Sequence, residues 1–336
     1  MNAPILLADV GGTRARFALT NPRRDTLLLA DSVREFAVAE FPSLASVATH
    51  YLAERAPAIP VESAVFAVAG RIEGGQARMT NHSWAISRDG LRAALGLETV
   101  HLLNDFAAQA MSLEWLGEDD LVALGCESPR PSMDSMQTYA VLGPGTGLGV
   151  GALLVRDGRR VTLETEGGHV AFAAGSRAEA DVLERLTERF GRVSNERLLS
   201  GAGLVNIHRA LADAAGVSIA TQLPQEITFG ASRGDPLCCR AVRLFCEILG
   251  AVAGDAVLAL GAWDGVYLTG GLVPVLIDEL RNPAFRRRFE AKGRFAVSMA
   301  AVRCFAVIHP YPGLLGAAAL ALQDPTHGWT AEENVR

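Results

Sequence analysis

Two stretches of this chain share one plan, and together they limit its fold more than any other feature. The first is LLADVGGTRARFAL, residues 6–19: an apolar run ending in an acid, then two glycines and a threonine, then a second run. Residues 5–10 read as a strand. After Thr13 the residues alternate, with Ala15, Phe17 and Leu19 on one face and Arg14, Arg16 and Ala18 on the other. A period of two predicts a second strand rather than a helix. A dinucleotide fingerprint needs G-x-G-x-x-G and a helix directly after the turn, and neither is present. Residues 139–155, YAVLGPGTGLGVGALLV, repeat the plan and place Gly145-Thr146 133 residues after Gly12-Thr13. Taken singly, each is an ordinary β-hairpin of a large α/β protein. The pair, with the same Gly–Thr order, points to a duplicated domain with a cleft between the copies and a ligand shared by both.

The rest of the chain alternates in the α/β manner. Residues 63–70 and 99–104 read as strands; residues 89–96 and 105–117 read as helices ending at glycines. Ser176 with Glu179 fits a capping box ahead of Val182, Leu183, Leu186 and Phe190 at helical spacing. Asp235 as cap and Pro236 at the first position open a long helix. Its apolar part, residues 244–263, is interrupted by Glu247 and Asp255, which favours a buried helix over a membrane span. GVYLTGG is a strand running into Gly270-Gly271, a helix is expected after Pro312, and the last ten or so residues are polar and expected to fray.

Composition narrows the function. With 336 residues, 49% hydrophobic and 20% charged, the chain can bury the cores of two domains. Its net charge of −6 argues against a polybasic nucleic-acid surface. Backbone N–H groups can still bind phosphate without Lys or Arg. The five cysteines are sparse and lack C-x-x-C, so neither a disulfide framework nor a zinc site is expected. No signal peptide is evident at the start, and reduced thiols suit a cytoplasmic protein.

Read together, the motifs resemble the bacterial ATP-dependent glucokinases, a branch of the hexokinase–actin–Hsp70 superfold. The pieces are DVGGT, MTNHSW (residues 79–84), LLNDFAA (102–108), LGPGTGLGVG (142–151), EGGHVAF (166–172), NERLLSGAGLVN (195–206), TGG (269–271) and PGLLGAA (312–318), in family order along the whole chain. The sequence departs from the family at Ala8, where Gly is usual, and at Arg14, where Asn is usual. The Cys-rich zinc motif of the related repressor and kinase branch is missing.

The resemblance implies two actin-like (ribonuclease H-like) α/β domains with a cleft between them: residues 1–118 with 311–336, and residues 119–310. It implies phosphorylation of glucose by Mg-ATP, with kinases for mannose, fructose or glucosamine, and a non-catalytic sugar sensor, as the alternatives. A homodimer is implied as well, with no nucleic-acid or membrane partner.

Each site residue has a plainer alternative. Asp9 is either a turn acid or, as the family implies, the holder of Mg²⁺ through water. Gly11, Gly12 and Thr13, with Gly143, Gly145, Thr146 and Gly147, can bring N–H groups against phosphate because glycine leaves the backbone bare. Arg14 is either a phosphate contact or a solvated arginine. Asp105 is either a helix N-cap or the catalytic base, with Asn104 on sugar hydroxyls. Glu166, His169 and Glu196 would complete the sugar site; otherwise they are a polar turn and a solvated charge. Gly270 and Gly271 would let adenosine approach the backbone at a helix start. Asn81 and His82 are expected in a sugar-side loop, and Trp84 in the core.

Overall fold

The computed structural model describes residues 3–21, 26–55, 60–79, 82, 84–125, 133, 136–220 and 222–322. The expectations for Asn81, Cys126 and the polar tail fall outside these residues. The chain divides into two compact units, Met1–Leu116 with Pro310–Arg336, and Gly117–His309.

The first unit has a five-stranded sheet and a small three-stranded one. The strands are β1 (Leu6–Val10), β2 (Arg14–Leu19), β3 (Arg34–Ala37), β4 (Ser63–Val68), β5 (Gly70–Glu73), β6 (Gln76–Met79), β7 (Ala85–Ser87) and β8 (Thr99–Asn104). The large sheet runs β3-β2-β1-β4-β8, and β5-β6-β7 form the small one. β1 pairs antiparallel with β2, Asp9 opposite Arg16, and parallel with β4. Helices α1 (Leu44–Arg55), α2 (Arg88–Leu95) and α3 (Asp105–Ser112) belong here, as does the last described helix, Pro312–Leu322. The face of β2 expected to be apolar is buried: Ala15, Phe17 and Leu19 join Tyr51 and Phe66 in the core, with Phe17 stacked on Tyr51 at 5.4 Å. The helix expected over 105–117 stops at Ser112 and tightens into a 3₁₀ turn, Leu113–Trp115.

The second unit repeats the plan. Its strands are β9 (Leu121–Ala123), β10 (Gln137–Pro144), β11 (Leu148–Arg156), β12 (Arg159–Thr165), β13 (Gly265–Leu268) and β14 (Cys304–Val307), ordered β12-β11-β10-β13-β14-β9. In both large sheets an antiparallel meander of three strands continues into two parallel strands. The glycine hairpin joins the corresponding strands in each. The duplication expected from the Gly–Thr repeat is therefore present in the topology.

Its helices are α4 (Arg177–Phe190), α5 (Gly201–Ala214), α6 (Pro224–Ser232), α7 (Pro236–Leu260), α8 (Ile277–Leu280), α9 (Pro283–Glu290) and α10 (Ala296–Ala301). The 25-residue α7 is capped by Asp235 and largely buried, as its sequence implied. Side chains at Gly250 and Gly254 would strike the carbonyls of Phe285 and Phe289, so α7 and α9 cross backbone to backbone. Among the described residues no helix is long and apolar enough to cross a membrane. The capping box at Ser176 is only half formed. Ser176 accepts the Glu179 N–H at 3.3 Å, but the Glu179 carboxylate turns to the Gly175 N–H and to Arg288.

Candidate active site

In the first unit, the turn from Gly11 to Thr13 closes the hairpin between β1 and β2. The Gly11 N–H donates to the Arg14 carbonyl at 2.9 Å, so this glycine is used within the turn. That corrects its expected role as a phosphate donor and leaves Gly12 and Thr13 as the turn's candidates. Asp9, next to last in β1, has its side chain 16% exposed, and Arg16 Nη1 lies 3.6 Å from its Oδ2. Burial pushes the Asp9 carboxyl up from its ordinary value, and the Arg16 charge offsets part of that rise. Glu35 on β3, opposite Arg16, accepts from Arg16 Nε at 2.7 Å and also from Arg14. Burial raises the Glu35 carboxyl, but the two arginines outweigh it and hold it below its usual range. The result is a row of alternating charge, Asp9–Arg16–Glu35–Arg14. Arg14 is thus exposed and paired with Glu35.

Gly313, in the first turn of the last helix, sits directly over Asp9. A Cβ there would lie 2.6 Å from the Asp9 Cγ. Only glycine lets this helix start come so near the acid.

The β8–α3 junction carries Asn104 and Asp105. Asn104, not Asp105, is the cap. Its Oδ1 accepts from the N–H groups of Phe106 at 2.9 Å and Ala107 at 3.1 Å, and its Nδ2 donates to the Gly70 carbonyl at 3.1 Å. At most one amide hydrogen remains to meet a ligand. Asp105 is the first residue of α3, half-buried, and its Oδ1 also accepts the Phe106 N–H at 3.0 Å. His82 packs edge-on against buried Trp84, and its Nδ1 accepts the Trp84 N–H at 3.3 Å.

In the second unit, Gly145, Thr146 and Gly147 close the hairpin between β10 and β11. The Gly145 N–H donates to the Gly147 carbonyl at 2.8 Å, and its own carbonyl accepts the Gly201 N–H at the start of α5 at 2.9 Å. Gly145, like Gly11, is therefore committed within the fold, and Thr146 and Gly147 remain the turn's candidates. Gly143 lies inside β10, opposite Gly149. Gly270, at φ 87°, packs on it: a Cβ would come within 2.7 Å of the Pro144 carbonyl and 3.0 Å of the Gly143 carbonyl carbon. The 270–271 turn thus rests on the hairpin. It leads into further turns, and helix α8 begins only at Ile277, so the expected helix start is not there.

Glu166, Gly167, Gly168 and His169 form a 3₁₀ turn held against β11. The Gly168 Cα lies too near the Leu148 carbonyl for any side chain. His169 Nε2 is 3.8 Å from Glu166 Oε2, with side chains 48% and 70% exposed. The Asn195 N–H donates to the Val170 carbonyl at 2.9 Å, which brings the Glu196 segment alongside. Glu196 was expected either to meet sugar or to be a solvated charge. Instead its Oε2 accepts the Leu148 N–H at 3.0 Å and fills the space beside Gly147.

A family model described as Glucokinase matches residues 6–324. A glucokinase of Xanthomonas euvesicatoria pv. vesicatoria is 54% identical over 320 residues, 95% of each chain. The chain belongs to the glucokinase family. A crystal structure of a glucokinase from an Antarctic psychrotroph is 32% identical, with a TM-score of 0.81 over 95% of this chain and 99% of that one. The glucokinase of Balamuthia mandrillaris, in complex with glucose, shares the fold at 23% identity, with a TM-score of 0.79 over 95% and 93%. Every residue described above lies within the range matched to the glucokinase family. Arg16, Glu35 and Gly313 were missed by sequence reasoning. Arg16 was recoverable from the hairpin register, which sets it opposite Asp9; Glu35 needed the β2–β3 pairing, and Gly313 a tertiary contact.

Proposed function

We propose that this protein transfers the terminal phosphoryl group of ATP to the 6-hydroxyl of D-glucose. The observation that carries the reading is the glycine hairpin repeated at the corresponding strands of both sheets, in a chain of the glucokinase family. Gly12, Thr13, Thr146 and Gly147 present backbone N–H groups to phosphate, and Gly270 and Gly271 take the adenosine. Asn104, Asp105, Glu166, His169 and Glu196 bind the sugar. Two domains built on the two units, in a cytoplasmic homodimer, are part of the same reading.

Asp105 accepts the proton of the 6-hydroxyl as the sugar oxygen attacks the terminal phosphorus in line. The bond to the bridging oxygen breaks and ADP leaves with that electron pair. Help of this kind is worth about 10²–10⁴-fold. Asp9 fits Mg²⁺ held through water: it offers a hard carboxylate oxygen beside a helix start that lacks a side chain. When bound there, Mg²⁺ would offset charge developing on the phosphates. Arg16 and Glu35 fix the direction in which the Asp9 carboxylate points.

The test is ADP release with Mg-ATP and glucose, mannose, fructose or glucosamine, for wild type and Asp105→Ala. Glucose-dependent turnover should fall about 10²–10⁴-fold in the variant while glucose still binds. Faster turnover on another sugar would keep the mechanism and change the substrate. No turnover on any sugar would overturn the reading.

A further inference from the structure

Glu196 stands in an unexpected place. An anion-binding turn works by offering N–H groups with no acidic side chain in the way. Here the Leu148 N–H, at the end of the second glycine turn, is already taken by Glu196 Oε2 at 3.0 Å. The same oxygen occupies the volume that a side chain on residue 147 would fill. The bare Gly147 therefore accommodates a carboxylate rather than open solvent. The main chain that carries it is held: the Asn195 N–H is tied to the Val170 carbonyl, and Ser200, the cap of α5, donates to the Glu196 carbonyl at 2.9 Å.

We infer that Glu196 closes the second phosphate turn while the sugar site is empty. This rests on the proposed function, in which that turn receives ATP phosphates and Glu196 receives sugar. A carboxylate on the turn repels the triphosphate and competes for the Leu148 N–H. Sugar hydroxyls are donors. When they bond to Glu196 they satisfy its oxygens, draw the side chain off the turn and release the N–H to phosphate. One carboxylate thereby makes tight ATP binding conditional on sugar and restrains hydrolysis of ATP when no sugar is bound. No second conformation of either unit is required, only a side-chain movement.

The experiment measures affinity for a non-hydrolysable ATP analogue, standing in for ATP, by calorimetry with and without saturating glucose, for wild type, Glu196→Gln and Glu196→Ala. Glutamine keeps the shape and an acceptor for Leu148 but lacks the charge; alanine removes both. In wild type, glucose should tighten ATP binding severalfold. In both variants ATP should bind about 3- to 10-fold tighter than wild type without glucose, as expected when one unit charge near phosphate is removed. Sugar-independent ATP hydrolysis should rise in parallel, while glucose binding weakens. Sugar-free ATP affinity unchanged or weaker in both variants would overturn the inference and leave the kinase reading standing. Failure of wild type to bind ATP with or without glucose would overturn both. A melting temperature recorded for each variant identifies one that fails to fold, and the other then decides the result.

Discussion

Gly316→Ala tests how Asp105 is held in place. Gly316 lies on the last described helix where it crosses α3. A Cβ at this position would fall 3.0 Å from the Ala108 Cα and inside the contact radius of the Ala108 carbonyl oxygen. Carbon atoms rest about 3.5–4.0 Å apart, and the Ala108 carbonyl carbon would lie nearer still than the Cα, so the helices must separate by more than about 1 Å. Both obstructing groups are backbone, and no rotamer change can relieve them. Ala108 lies within one turn of Asp105, the first residue of α3. A shift of the helix therefore carries the proposed base with it, and a misplacement of about 1 Å costs about 10²-fold in rate. Overpacking should cost about 1–3 kcal/mol, partly offset by up to about 1 kcal/mol from the better helix propensity of alanine. The expected variant is about 1–2 kcal/mol less stable in urea unfolding, with kcat/KM for glucose down about 10²-fold. The sign matters most, because an uncrowded Gly→Ala change in a helix stabilises. A variant as stable and active as wild type would refute the crossing argument.

Three further outcomes follow. Burial raises the Asp9 carboxyl above its ordinary value of 3.8, so the folded state holds that proton more tightly than the unfolded chain does. Stability from this group falls as pH rises from the ordinary to the raised value, and the whole cost is present at neutral pH. Asp9→Asn should therefore raise the neutral-pH melting temperature and lose its advantage below pH 3.8 while turnover collapses; a lower melting temperature at pH 7 would count against it. Glu179 is fully buried and accepts twice from Arg288, at 3.0 and 2.9 Å, so Glu179→Ala should cost about 3–5 kcal/mol in urea unfolding by stranding the guanidinium. Burial pushes the Cys238 thiol up to about 11 and the Cys304 thiol up to about 12, while Cys239 is half-buried. Brief alkylation at pH 8 followed by peptide mass spectrometry should find Cys239 modified well before Cys238, Cys246 or Cys304.

What the sequence disclosed follows from the range of the interactions involved. The hairpins were legible because a turn and its two strands are local, and the Gly–Thr repeat exposed the duplication. The buried α7 was legible from its cap, its proline and its apolar length. The small β5–β7 sheet and the end of α3 at Ser112 were not, because short strands and helix ends depend on neighbours distant in sequence. The same limit governs the site. Sequence could name Asp9 but not the Asp9–Arg16–Glu35–Arg14 row, which needs β1, β2 and β3 in register. It could name Glu196 but not its bond to Leu148, which spans 48 residues.

The glycines show the limit most clearly. Sequence reasoning treated the hairpin glycines alike, as donors cleared for phosphate, and Gly270 as room for adenosine. In the fold they divide by what lies opposite the missing side chain. Gly11 and Gly145 close their own turns, Gly270 lets one turn rest on another, and Gly147 makes room for a carboxylate. Gly313 and Gly316, three residues apart on one helix face, bring that helix against Asp9 and Ala108. Glycine within a helix costs about 1 kcal/mol relative to alanine. Two on the same face of a single short helix make sense where close approach matters more than helix stability. Here one contact is with Asp9 itself and the other with Ala108, one turn along α3 from Asp105, so the approach bears on both acids on which the proposed phosphoryl transfer depends.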